Sequence, residues 1–307
     1  LKGGSVTAAV ANNVAIGYGA LMDVTAATSN TAIGGRSALG NLTTGDNNIA
    51  IGDGAGQTMT TTGDCILIGN SAGNTLDGTG PNGSIAIGHS ALAVHTTGGR
   101  NIAIGWEAMH DTNAGSTAQA SNDNTFIGYS AGGGTWANAE SYGNVSLGNY
   151  TLDDSLNGAI YNTALGYGAL SDLETGDGNV AVGTSAGQTT VDVDNTVLIG
   201  KQAGTGNLTS AADGVIAIGF EAMKVHTTGA RNMAIGYAAM NDTDAGSTSL
   251  GSQDNIFMGY EAGGGTWTDA ASQYNVAIGN YAMDSALNGA INNVAIGHTA
   301  LGAVTEG

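Results

Sequence analysis

A short unit reading Asn-φ-Ala-φ-Gly-x-x-Ala, with φ aliphatic, recurs sixteen times in this 307-residue chain and constrains its fold more than any other feature. Examples are Asn13-Val14-Ala15-Ile16-Gly17, Asn48-Ile49-Ala50-Ile51-Gly52, Asn101-Ile102-Ala103-Ile104-Gly105 and Asn293-Val294-Ala295-Ile296-Gly297. The spacing of the closing glycines is never shorter than that from Gly17 to Gly34 and never longer than that from Gly105 to Gly128. A longer period lies above this one: seven units lead from Gly17 to Gly148, and the next seven lead over an equal length from Gly148 to Gly279. Odd features return at that offset: Leu67 as Leu198, His95 as His226, Phe126 as Phe257 and Trp136 as Trp267. An extra residue at Gly34-Gly35 is the one shift in register. The chain therefore reads as a single repeat array over 1–307. Its super-repeats cover approximately 13–143 and 144–274, and a third starts at 275–307.

Within a unit the periodicity is two, the signature of a strand. Counting from the motif glycine as zero, position −1 is always Ile, Leu, Val or Met, and position −3 is β-branched everywhere except Met233. Position −2 is mostly Ala. One face is thus aliphatic and the other nearly bare, and a bare Ala/Gly face lets another backbone approach closely. Farther on, position +3 is almost always Ala, and +4 is Leu or Met in ten units and Gly in six. Turn residues such as Leu42-Thr43-Thr44-Gly45-Asp46 follow. These segments are too short and too rich in Gly for helices. The expected fold is all-β: a parallel β-solenoid (β-helix or β-roll) of about sixteen coils of 17–23 residues, each rising by about 4.8 Å. Asn occupies position −4 in twelve units, where it either builds an axial hydrogen-bonded ladder or merely starts a turn.

Composition removes several function classes. The 53 glycines lack the period and the proline of collagen, and the 41 % apolar content is too high for a disordered polar tract. A formal net charge of −19 repels nucleic acid and anionic lipid, and no apolar run is long enough to insert into a membrane. One cysteine, Cys65, excludes an intrachain disulfide framework and is expected to be a packed thiol. The first residue is Leu1 and no signal-like segment follows, so the ends of the gene product are expected outside this segment. A coil of such small residues encloses little apolar volume. Several chains gathered around one axis, touching through the Ala/Gly face, would enlarge it.

The units also bear a resemblance to known repeats. Asn-x-Ala-Ile-Gly-x-x-Ala-Leu followed by a Thr-Thr-Gly turn resembles the arrays of phage and marine-virus tail-fibre proteins, fibres that often end in a self-cleaving chaperone of the endosialidase type. The stretch Asn162-Thr163-Ala164-Leu165-Gly166-Tyr167-Gly168-Ala169-Leu170 is especially close. The Asn-φ-Ala-φ-Gly core is also similar to the head repeats of trimeric autotransporter adhesins. The resemblance covers Asn12 to Leu301 and implies an elongated, extracellular homotrimer, but it carries over no catalytic residues.

Candidate sites are few. The two widest coils carry oxygen-rich loops, with Asp111 and Asn113 in one and Asp242 and Asp244 in the other as weak Ca²⁺ ligands. Against an EF-hand, Gly246, Ser247 and Gln253 stand where a third ligand, Gly and Glu are needed, so a plain solvated loop is the alternative. Trp136 with Tyr142, and Trp267 with Tyr274, are candidates for glycan contact, against the alternative that each indole packs over the solenoid flank or between chains. Asp153-Asp154 is the only adjacent acidic pair, and its counterpart one super-repeat on is Met283-Asp284, so hydrolytic carboxylates are not duplicated. Neither His95 nor His226, the two His that correspond across the super-repeat, sits beside a Cys or a carboxylate at metal-ligand spacing, and no Gly-rich stretch precedes a helix that could cradle phosphate. No enzyme activity, cofactor or nucleic-acid partner is expected. The expected function is a structural segment of a phage or virus-like-particle fibre, a virion shaft or head that takes part in adhesion to a host-surface glycan or protein receptor. A bacterial surface adhesin or self-assembling filament is the first alternative, and a polysaccharide-degrading tailspike the second. A flat Thr array for ice binding ranks below these, because the Thr-Thr-Gly turns recur in only some coils.

Overall fold

The computed structural model describes residues 10–77, 80–112, 120–243, 251–268 and 270–303, and there the chain is all-β apart from turns and a short 3-10 segment at Ser210–Ala212. It groups into two compact units, Leu1–Ile160 and Tyr161–Gly307. Each is a parallel β-solenoid. The first carries β1 (Val14–Ile16), β2 (Thr31–Ile33), β3 (Ile49–Ile51), β4 (Ile66–Ile68), β5 (Ile85–Ile87), β6 (Ile102–Ile104), β7 (Thr125–Ile127) and β8 (Val145–Leu147). The second carries β9 (Thr163–Leu165), β10 (Val180–Val182), β11 (Val197–Ile199), β12 (Ile216–Ile218), β13 (Met233–Ile235), β14 (Ile256–Met258), β15 (Val276–Ile278) and β16 (Val294–Ile296). Within each unit every strand pairs in parallel with its successor and like stacks on like: Ile85 on Ile102, Ala86 on Ala103, Ile87 on Ile104.

The Asn column forms the axial ladder. Asn124 shows its full connectivity. Its Nδ2 donates to Asn101 Oδ1 at 3.2 Å and to the Ser141 carbonyl at 2.9 Å, and its own backbone N–H reaches the same Asn101 oxygen at 3.0 Å. Its Oδ1 then accepts from the backbone N–H and the Nδ2 of Asn144, at 3.0 and 3.1 Å. The pattern repeats at Asn30–Asn48, Asn162–Asn179 and Asn232–Asn255–Asn275–Asn293. Where Asn is replaced, Thr196 still offers its hydroxyl to Asn179 Oδ1 at 2.7 Å. At the other end of each strand, the motif glycines pass carbonyl over Cα. A Cβ on Gly88 would overlap the carbonyl oxygen of Gly105, and its φ of +133° is itself a glycine conformation.

The faces are the reverse of the sequence expectation that the bare Ala/Gly face is open to another chain. From β2 onward the central residue of every strand is buried, while its two neighbours, aliphatic except at Thr31, Thr125 and Thr163, are half-buried or exposed. The interior is narrow and already filled from the far side by the Ala at +3, by the Leu or Met at +4, and by turn residues such as Leu42, Met59 and Leu76. Only Ala fits opposite them in most coils, so the branched residues point outward. The glycine does meet a backbone closely, but it belongs to the next coil of its own unit.

In four coils core bulk is exchanged between −2 and +4, and Gly56 and Gly187 in the coils just before make room for Leu67 and Leu198. Where −2 grows from Ala to Leu67, Phe126, Leu198 or Phe257, position +4 of the same coil is Gly73, Gly132, Gly204 or Gly263. A Cβ on Gly73 would lie 2.6 Å from Leu67 Cδ2, and one on Gly132 would lie 2.6 Å from the Phe126 ring. The backbone at +4 is left-handed either way: φ is +56° at Gly73 and +50° at Leu92. Leu67→Ala is therefore expected to cost about 2–5 kcal/mol in urea unfolding, and Gly73→Leu alone to destabilise by overpacking. The double variant recreates the commonest coil and should recover most of the loss; additive losses would contradict volume exchange. Asn124→Leu strands the Asn144 N–H and the Ser141 carbonyl and should cost about 2–5 kcal/mol by the same measurement, with Asn124→Thr milder.

Candidate interaction surface

The residues singled out from sequence do not converge on one site. Trp136 and Trp267 are fully buried, which corrects the expectation that they offer faces to a sugar. Each indole packs against the large −2 residue of its own coil, with ring centroids 5.6 Å apart for Phe126–Trp136 and again for Phe257–Trp267. The indole N–H donates to the Gly132 or Gly263 carbonyl at 3.1 Å. Size and polarity are both satisfied inside the coil, so nothing draws the ring outward. Tyr142 is half-buried and Tyr274 is 50 % exposed.

Asp111 accepts a hydrogen bond from Thr135 Oγ1 at 2.8 Å, and Asp242 one from Thr266 Oγ1 at 2.6 Å. These carboxylates tie their turn to the next coil. Asn113 and Asp244, the other weak Ca²⁺ candidates, lie outside the described residues. Among the described residues no group of three His, Cys, Asp or Glu could hold a metal, and no helix is long and apolar enough to cross a membrane. Cys65 is buried in the Asn column, its Sγ 3.4 Å from the Gly63 and Pro81 carbonyl oxygens. Desolvation pushes its thiol up to about 11, that of an unreactive sulfhydryl.

His95 and His226 replace the turn aliphatics of the core and are fully buried. His95 Nε2 lies 2.6 Å from the Gly98 carbonyl oxygen, and Nδ1 lies 2.6 Å from Thr112 Oγ1. A carbonyl can only accept, so the network assigns a neutral ring protonated on Nε2, with Nδ1 accepting from the hydroxyl. His226 repeats the arrangement with Gly229 at 2.9 Å and Thr243 at 2.8 Å.

What the outer surface does present is an uncharged aliphatic face. In each unit the −3 and −1 side chains form two in-register columns beside the sheet, among them Ile49 and Ile51 (39 and 38 % exposed) and Val145 and Leu147 (42 and 50 %). None of the 25 acidic or six basic residues occupies either column. Beside these columns runs a line of aromatic rings just after the motif glycines. In the second unit Phe220, Tyr237 and Tyr260 stack at 5.1 and 5.0 Å, Lys201 Nζ lies 5.9 Å from the Phe220 centroid, and Tyr281 and His298 continue the line. In the first, His89 stacks on Trp106 at 4.1 Å, and Tyr129 meets Tyr150 at 5.3 Å. These rings escape a sequence reading because they are separated by whole coils and occur at +1 or +2. Aligning every residue after its motif glycine would have brought them together.

No family model, curated protein or solved structure matches the chain.

Burial lowers the His95 imidazole to about 4, opposed by its bond to the Gly98 carbonyl. The unfolded ring titrates near its ordinary value of about 6.5, so between these values the unfolded state binds the extra proton. The stability held by neutral His95 is complete above about pH 6.5 and is lost as pH falls toward about 4, by roughly 3 kcal/mol at about 1.4 kcal/mol per unit. Urea midpoints from about pH 7 to 4.5 should fall for the natural protein and flatten for His95→Gln. An unchanged slope in the variant would place the acid sensitivity elsewhere.

Proposed function

We propose that this chain is a structural segment of an extracellular fibre, a shaft or head of a phage or virus-like particle, in which three copies face one another through their aliphatic columns. The observation that carries this reading is the outward aliphatic face. In a soluble single chain a contiguous uncharged strip of this kind is costly, and strips this large mark interaction surfaces. The column side chains of a unit, all aliphatic but Thr31 and Thr125 in the first and Thr163 in the second, leave on the order of 600–800 Å² exposed, near the roughly 800 Å² per partner of a specific interface. A second copy is the partner that brings a matching strip with the same axial spacing and no charge. The acidic residues stay outside such a contact, where they oppose contact with nucleic acid, anionic lipid and unrelated assemblies.

The number three comes from the resemblance of the repeat to tail-fibre and adhesin arrays. Presentation of a host-binding surface follows from the same resemblance, and the coils then serve as a spacer and platform. Interior polar groups paired within the chain, as in the Asn ladder, suit a part whose work is mechanical.

Sedimentation equilibrium should give three times the chain mass of 30.1 kDa, with little salt dependence. Ile102→Asp with Ile104→Asp should leave the circular dichroism intact and release single chains, because buried unpaired carboxylates cost several kcal/mol per contact. A natural protein that stays a single chain at all concentrations would overturn the assembly. Antibody labelling of purified virions should decorate their fibres; labelling of a bacterial envelope instead would favour the adhesin reading.

A further inference from the structure

We propose that Tyr237 and Tyr260 are a cross-linking site, at which one-electron oxidation joins the two phenol rings into a dityrosine that staples the coils of β13 and β14. The two side chains stand at the same place in successive coils, each directly after its motif glycine. Their ring centroids are 5.0 Å apart with 5° between the planes, the most nearly parallel of the stacked pairs along the second unit. Both are accessible, at 46 and 39 % exposure, so an oxidant can reach them. The Glu261 carboxylate directly follows Tyr260 and pushes its phenol up to about 12, so a base lies beside the proton as the electron leaves. Holding two such rings side by side turns a bimolecular radical coupling into an intramolecular one.

The oxidant is a haem peroxidase with hydrogen peroxide. Each phenol loses one electron to the peroxidase and one proton, Tyr260 to Glu261 and Tyr237 to water. The two phenoxyl radicals then form one carbon–carbon bond between ring positions ortho to oxygen. The hydrogen on each joined carbon is lost as a proton while each ring oxygen regains one, restoring two phenols. Two hydrogens leave the protein in all, and one peroxide is reduced to two waters. Tyr281 stacks on Tyr260 at 59°, so its ring must turn before it can couple. Tyr18, 83 % exposed, is an internal control for coupling between molecules.

Dilute whole protein treated with peroxidase and peroxide should lose two hydrogen masses without changing its chain mass class, and should gain the blue fluorescence of a biphenol. Cleavage before Asp242 and Asp254 separates the two tyrosines in sequence, so a linked pair of peptides identifies the bond. Tyr237→Phe and Tyr260→Phe each retain a ring for the stack but should abolish that linked pair, while Tyr18→Phe should leave it unchanged. In urea-unfolded protein its yield should fall about tenfold or more. An equal yield in the unfolded chain, or products joined through Tyr18 in place of the Tyr237–Tyr260 link, would overturn the assignment.

Discussion

One side-chain oxygen, repeated in most coils, holds this architecture in register. Three-residue strands are short even for a sheet and make few ladder bonds of their own. At their leading end, where Asn stacks on Asn, the Oδ1 takes both a backbone N–H and an amide N–H from the coil above, as at Asn124. At their trailing end, the glycine Cα sits under the next glycine carbonyl. The strand is therefore clamped on both sides by groups that tolerate no shift along the axis. A slip of one residue would put a branched side chain where only a glycine fits and would strand two N–H donors in the interior.

The same clamps explain the partition of side chains. Coils held this close enclose a channel wide enough for Ala opposite Leu, or for Phe opposite Gly, but not for two branched residues. The larger aliphatics are displaced to the outside, where they line up because the strands do. Interior and exterior thus play unequal roles. Inside, the polar groups of His95, His226, Asn124, Trp136 and Trp267 all have partners within their own unit. The outside is left unfinished along one strip, and the surface around it is strongly acidic.

Much of this was legible in the sequence. The length of each coil, the parallel stacking and the individual coil identities follow from the spacing of the motif glycines, and the Asn ladder was one of two readings that the column allowed. Which face points inward was not legible. Alternation shows that Val14 and Ile16 share a side, but only the width of the coil decides which side is interior. The place of Trp136 and Trp267 was open for a related reason: a large aromatic beside three glycines can be displayed or packed, and Gly132 and Gly263 are small because Phe126 and Phe257 fill the room. The partner of the Asp111 carboxylate was not legible, because the Thr135 hydroxyl that donates to it lies 24 residues away. The exposed rings were missed because their neighbours are set by stacking rather than by adjacency in the chain.

The exchange of bulk within one coil, as at Leu67–Gly73 and Phe126–Gly132, bears on how such an array can change over generations. A lone substitution at either position is penalised, so drift inside the coil has to proceed through coupled steps. Copying a block of whole coils avoids that obstacle, because each matched pair travels together. Lengthening by duplication is then an easier route than editing coil by coil, and two blocks of seven coils with equal length and the same matched pairs are the trace it would leave in the gene.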